Sequence, residues 1–218
     1  MSDWEIDGKP ALVILHMQEG MIGKGTFHPE RHHTVVKAVN ESGMLNHIRE
    51  LLKAFRDKEL PVIFVNVLHN PFGASSAYGS LFQYSGEPQK SLGLSGMLDS
   101  SSTREDLEVI SELNRRTDEP LLLNWLLGAF NNSGLDLILK FKGVKTLVLA
   151  GFTGHSVVYH TAVQAVDLWY SVIIPRDASV SPAPAQKAFE AVMEIMAPSI
   201  ALVTTTEDVV WHIIQVQH

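Results

Sequence analysis

Two apolar patterns alternate along the chain. Continuous runs rich in branched residues, KPALVILHM at 9–17, PVIFVNVL at 61–68, PLLLNW at 120–125, TLVLAG at 146–151, YSVIIPRDA at 170–178 and SIALVTT at 199–205, predict six strands buried on both faces. Between them the period lengthens. Met44, Ile48, Leu51, Leu52 and Phe55 recur at helical spacing with Arg49, Glu50 and Lys53 opposite, which makes 44–55 an amphipathic helix. DLEVISEL at 106–113 reads as a short helix, SGLDLILKFKG at 133–143 as a helix stopped by Gly143, and 157–166, 185–196 and the terminal VVWHIIQ as three more. From His69 to Gly96 the chain follows neither period and is dense in Gly, Ser and Pro; a loop of that length in a compact domain is usually functional.

Strands alternating with helices imply a parallel sheet with right-handed crossovers and helices on both faces. The expected architecture is a Rossmann-like, three-layer α/β/α fold on a six-stranded parallel sheet, with a ligand crevice beyond the carboxyl ends of the strands. The 218 residues suffice for one such domain, spanning 1–218, and no linker or repeat divides them.

Composition narrows the function. A net charge of −7 without any cluster of Lys or Arg argues against a nucleic-acid partner. No apolar run approaches the roughly 20 residues that span a bilayer, and the opening MSDWEIDGKP is polar and acidic, so no membrane partner and a cytoplasmic location are expected. The chain has no cysteine, which removes disulfides, thiolate metal sites and thiol nucleophiles together.

If the sheet is as predicted, the informative residues lie just past each strand: His16 and Gln18, the 69–80 loop, Asn124 and Trp125, and the turn at 152–157. A histidine stands at position 16 where Val or Leu would suit a core better. It is either a core residue bonded to a backbone carbonyl or part of a site, since a buried polar ring without a partner is costly. Gly154-His155-Ser156 imitates an esterase elbow, with Asp177 and His212 following in the right order. Val158 replaces the second glycine, however, and His212 lies well past the sixth strand, so Ser156 reads as a turn or cap residue rather than a nucleophile. HPERHH at 28–33 offers a His28/His32 spacing that would suit a metal on a helix, but Pro29 argues for a turn; no metal or other cofactor is expected. Trp169, Trp211, Phe189, Met193 and Met196 read as core or subunit contacts, and Glu112, Arg115 and Arg116 as a solvated face.

Three segments in order, ALVILHMQEGM, LLLNWLLGAFNNSGLDLILKFKGVKTLVLAGF and GFTGHSVVYHTAVQAVDLWYSVIIPRDAS, together resemble the isochorismatase-like hydrolases, also called cysteine hydrolases, over nearly the whole chain. The resemblance implies the isochorismatase fold and a triad of Asp, Lys and Cys. Those positions fall here on His16, Asn124 and Val157, so the thiolate attack on a carbonyl that the family uses has no nucleophile. Isochorismatases proper, which lack the cysteine and protonate a vinyl ether, carry a histidine in the elbow, at the place of His155. The resemblance further implies self-association, partly through the 70–100 loop and the helix after the elbow.

What remains is an expected pocket of two imidazoles, His16 and His155, the amides of Asn124 and Gln18, the rings of Trp125, Phe130 and Tyr159, and Ser156 and Val157 of the turn. Histidine titrates near neutrality, so acid/base catalysis by His16, Asn124 and His155 on a small cyclic or carbonyl-bearing substrate is one expectation. The other is an inactive relative that binds a small molecule or assembles with partners. Loss of a buried Asp–Lys pair fits an inactive relative that shed a costly feature. Two retained histidines favour the enzyme.

Overall fold

Strict alternation in the first strand decides the layering of the molecule. In β1 (Lys9–Leu15), Leu12 and Ile14 enter one apolar cluster while Ala11, Val13 and Leu15 enter the other, as the two-residue period of a strand buried on both sides requires. The computed structural model describes residues 4–68, 103–124 and 127–216. Within it follow β2 (Val62–Val67), β3 (Leu121–Asn124), β4 (Val144–Phe152), β5 (Ser171–Pro175), β6 (Ser179–Val180) and β7 (Leu202–Thr204). Their order in the sheet is β3-β2-β1-β4-β5-β7, with every pairing parallel, so the six predicted strands form one parallel sheet. A seventh strand, the two-residue β6, sits beside the end of β4 through Gly151↔Ser179 and Phe152↔Val180; two residues are too few to show a period in the sequence.

One face is covered by α1 (His32–Ser42), α2 (Met44–Asp57) and α6 (Thr206–Gln215), the other by α3 (Leu135–Phe141), α4 (Tyr159–Asp167) and α5 (Gln186–Met196). This is the three-layer α/β/α architecture. The stripe predicted for α2 is the buried one, with Met44, Ile48, Leu51, Leu52 and Phe55 all withdrawn from solvent, each worth about 1.5–3 kcal/mol of transfer free energy.

The structure corrects one local expectation, adds a helix and narrows a third reading. Residues 106–113 are not one helix. Two single-turn 3-10 segments, Glu105–Leu107 and Ser111–Leu113, flank an extended stretch in which Val109 forms an antiparallel bridge to Gln18 and the Ile110 N–H donates to the Met17 carbonyl. Backbone pairing with the end of β1 overrides the local helical preference there. A helix, α1, begins at His32 although its face toward the sheet buries only Val35 and Val39, too narrow a stripe to read from sequence. Of the residues read as core or subunit contacts, Trp169 lies outside the core: α4 ends at Asp167, and Trp169 sits in the turn beyond it with φ 70° and 93% exposure, while Phe189, Met193 and Met196 are buried.

Strand ends converge where β1 and β4 run side by side. Leu15 pairs with Gly151, whose φ of 125° and missing side chain let the two backbones close; a Cβ there would stand 2.2 Å from the Leu15 carbonyl oxygen.

Candidate active site

β1 stops at Leu15 because His16 turns left-handed, at φ 51°, a conformation that histidine enters more readily than most residues. The His16 N–H still donates to the Val65 carbonyl at 2.8 Å, but the strand's side-chain alternation is broken and the imidazole is set toward the end of β3. There Nε2 lies 3.1 Å from Oδ1 of Asn124, and both residues are buried. The Asn124 amide donates from Nδ2 to the Gly128 carbonyl at 3.0 Å, which leaves Oδ1 as the acceptor. His16 therefore carries its proton on Nε2, and Nδ1 holds the lone pair. Burial drives the imidazole down to about 4, with the bond to Asn124 opposing only in part, so the ring is neutral at pH 7.

Gln18, fully buried, spends its amide on backbone: Nε2 donates to the carbonyls of Val67 and Asp106, and Oε1 accepts from the Val67 N–H at 2.7 Å. It fastens the 105–113 segment across the end of β2. Asp106 in that segment accepts from the hydroxyls of Thr26 and Thr103; burial works to raise its carboxyl, but these hydrogen bonds outweigh burial and hold it below the usual range.

After β4, Thr153 leads into a π-helical turn, Gly154–Val158, that continues as α4. Val157 is buried within it, and its carbonyl accepts from the Thr161 hydroxyl. The Ser156 hydroxyl is paired with that of Thr153, so Ser156 is the turn residue expected from sequence. Asp177 accepts from the N–H and hydroxyl of Thr206 at the start of α6, and His212 donates from Nδ1 to the Asp208 carbonyl while stacking on Trp4. Ser156, Asp177 and His212, which the chain order had suggested as a triad, thus each take other partners, and among the described residues no hydrogen bond joins any two of them. His155 is half-buried, and its Nδ1 lies 2.7 Å from Oγ of Ser181, just past β6; burial, and secondarily His160, lower its pKa.

Phe130 is half-buried and stacks on Tyr170, 5.9 Å between centroids, and Tyr159 packs at the start of α4 edge-on to His160. Trp125 and the 70–100 loop lie outside the described residues. Ser181 and Asn66 were missed in the sequence. A polar residue inside the apolar run VIFVNV could have flagged Asn66, whose Nδ2 donates to the Leu107 carbonyl while its buried Oδ1 has no partner among the described residues. Ser181, in an ordinary Ser/Pro turn, left no signal.

The histidines of 28–33 take separate partners: His32 Nε2 bonds to the Ile22 carbonyl and His28 neighbours Glu30, and among the described residues no group of three His, Cys, Asp or Glu side chains is placed to hold a metal ion. Nor, among them, is any helix long and apolar enough to cross a membrane.

A family model, the isochorismatase domain, matches residues 10–208. The chain belongs to the isochorismatase family. It is similar to the isochorismatase family protein YecD of Escherichia coli O157:H7, 28% identical over 210 residues that cover 91% of this chain and 93% of that one. YwoC of Bacillus subtilis, of the same family, is 27% identical over 201 residues, 92% of each chain. In fold it matches the crystal structure of a cysteine hydrolase from Pseudomonas syringae pv. phaseolicola, with TM-score 0.73, 22% identity and coverage of 96% and 95%. It also matches N-carbamoylsarcosine amidase from Thermoplasma acidophilum, with TM-score 0.64, 24% identity and coverage of 92% and 98%. This isochorismatase-family chain has no cysteine anywhere in its sequence, and a neutral His16–Asn124 pair joins the ends of β1 and β3.

Replacing Asn124 by leucine leaves the Nε2–H of His16 and the carbonyl of Gly128 without their partner. We expect Asn124→Leu to cost about 2 kcal/mol of stability, read as a lower urea midpoint with an unchanged slope.

Proposed function

We propose that this isochorismatase-family protein acts on a small cyclic or carbonyl-bearing compound by proton transfer, without a covalent intermediate. The site lies at the carboxyl ends of β1, β3 and β4. His155 moves the proton, the His16–Asn124 pair orients the ligand, and Gln18, Trp125, Phe130, Ser156, Val157 and Tyr159 shape the surroundings. The observation that carries this reading is the His16–Asn124 hydrogen bond. It supplies fixed, uncharged direction where the family resemblance implies an Asp–Lys ion pair serving a thiolate. Burial lowers the pKa of the half-buried His155 imidazole, so its protonated form gives a proton to a ligand oxygen more readily than an ordinary histidine.

A second reading, binding without turnover, draws on the same histidine pair. An imidazole held at about 4 is a weak base, and His16 itself is suited to accepting a hydrogen bond rather than a proton. Self-association, a cytoplasmic setting and no nucleic-acid partner complete the proposal. Exposed Leu137, Phe141 and Trp169 support the first, and the net charge of −7 supports the last.

The test is a thermal-shift screen of the full chain against aromatic carboxylates, carboxamides, isochorismate-like acids and divalent metals, with each hit followed for turnover and by intact-mass spectrometry. We expect a carbonyl-bearing hit whose stabilisation is lost in Asn124→Leu, with product formed and no mass adduct. Binding without product selects the second reading. A trapped acyl adduct contradicts both.

A further inference from the structure

The turn after β4 and the turn after β6 are joined by one hydroxyl used twice. Ser181, only 2% exposed, accepts from the backbone N–H of His155 at 3.1 Å and lies 2.7 Å from Nδ1 of the same residue's ring. A serine hydroxyl has one proton to give. Oγ accepts from the backbone of His155, and among the described residues the one other group within hydrogen-bond distance of it is Nδ1, so the buried hydroxyl places its proton on that nitrogen, which is then unprotonated. The neutral ring carries its hydrogen on Nε2, at the opposite edge.

The register of the strands places Ser181 for this task. β6 pairs with β4 only at Gly151↔Ser179 and Phe152↔Val180, so the chain leaves the sheet at Ser181 level with the turn that begins at Thr153. A two-residue strand has little packing of its own, and this pairing fixes where the hydroxyl stands.

We propose that Ser181 is a positioning residue that sets the tautomer of His155, and that the ring consequently meets an oxygen acceptor of the ligand, a carbonyl or a carboxylate, through Nε2–H. The assignment rests on the site proposed above and specifies its chemistry. His16 and His155 then differ in kind: His16 spends Nε2–H on Asn124 and keeps an acceptor at Nδ1, whereas His155 accepts a hydrogen bond from Ser181 at Nδ1 and keeps a donor at Nε2.

The experiment uses the full chain labelled with nitrogen-15 histidine. Multiple-bond proton–nitrogen spectra at neutral pH distinguish the two tautomers of each ring, and His155→Asn identifies the His155 signals by their loss. The wild type is expected to show His155 as the Nε2–H form alone. Ser181→Ala is expected to shift the pattern toward a mixture of tautomers, and Ser181→Thr, which keeps the hydroxyl, to restore it. An Nδ1–H form in the wild type overturns the assignment, as does an unchanged pattern in folded Ser181→Ala. These spectra need no ligand, so they stand or fall separately from the ligand screen. In that screen benzoate and benzamide, with benzylamine as the counter-probe, test the acceptor rule. Stabilisation by the first two is expected to need about tenfold more ligand in Ser181→Ala, the factor for one oriented hydrogen bond, while a response to benzylamine alone contradicts the rule.

Discussion

Lowering the pH from 7 to 4 is expected to cost this protein about 3 kcal/mol through His16 alone. Above the ordinary histidine value of 6.5, the ring is neutral in the folded and unfolded chain alike, and His16 contributes no pH dependence. Between 6.5 and about 4 the unfolded chain binds a proton that the buried ring refuses, so stability falls as pH falls and levels off below about 4. The source is burial: the ring is withdrawn from solvent at the end of β1, and the side-chain partner it has among the described residues, the neutral Asn124 amide, compensates only in part. His28 and His155, also held below the ordinary value chiefly by burial, tilt the curve the same way. Asp106 acts in a lower window. Its depressed carboxyl adds stability above the ordinary aspartate range and loses it as pH falls through the folded value. Urea unfolding at several pH values, compared with His16→Asn, isolates the effect. Asparagine tolerates the left-handed backbone at position 16 and does not titrate. The variant is expected to lose less stability on acidification than the wild type; an equal loss would remove His16 as the cause.

The second large effect lies in the backbone. Gly151→Ala is expected to cost about 4 kcal/mol, a substantial share of the roughly 5–15 kcal/mol that holds a domain of this kind together. Two penalties add: an L-residue is strained at φ 125°, and its methyl would meet the Leu15 carbonyl oxygen at 2.2 Å and the Leu15 nitrogen at 2.8 Å. The obstacle is backbone in the centre of the sheet, so β1 and β4 must part to relieve it, and the ends that carry His16 and His155 part with them. Gly134, which also has positive φ but has nothing within 4 Å of an added Cβ, provides the control; Gly134→Ala is expected to cost about 1 kcal/mol. Similar midpoints for the two variants in urea would show that the β1–β4 approach is not tight.

The strands were legible because burial on both faces leaves a run of apolar residues that no other element of this length produces, as in LVIL of β1 and VIFV of β2. Helix α2 was legible because its apolar stripe is wide, whereas α1 buries only Val35 and Val39. Position 16 was conspicuous as a polar residue ending an apolar run. Asn124 was marked by its place just past a predicted strand and again by the spacing shared with the isochorismatase family, but its pairing with His16 was not legible, since 108 residues separate the two. The roles of individual atoms could not be read from sequence at all. That Gln18 is spent on backbone, that Gly128 orients the Asn124 amide and that Ser181 orients His155 depend on contacts across 49, 4 and 26 positions, with no periodicity to announce them.

A neutral, directional hydrogen bond between His16 and Asn124 stands where the family resemblance implies charge and a thiol pathway. The most direct measurement is a nitrogen-15 titration of the His16 ring in the folded wild type, assigned with His16→Asn. The ring is expected in the Nε2–H form at neutral pH, with protonation only near pH 4. A ring that titrates at the ordinary value of 6.5, or that carries its proton on Nδ1, would contradict it.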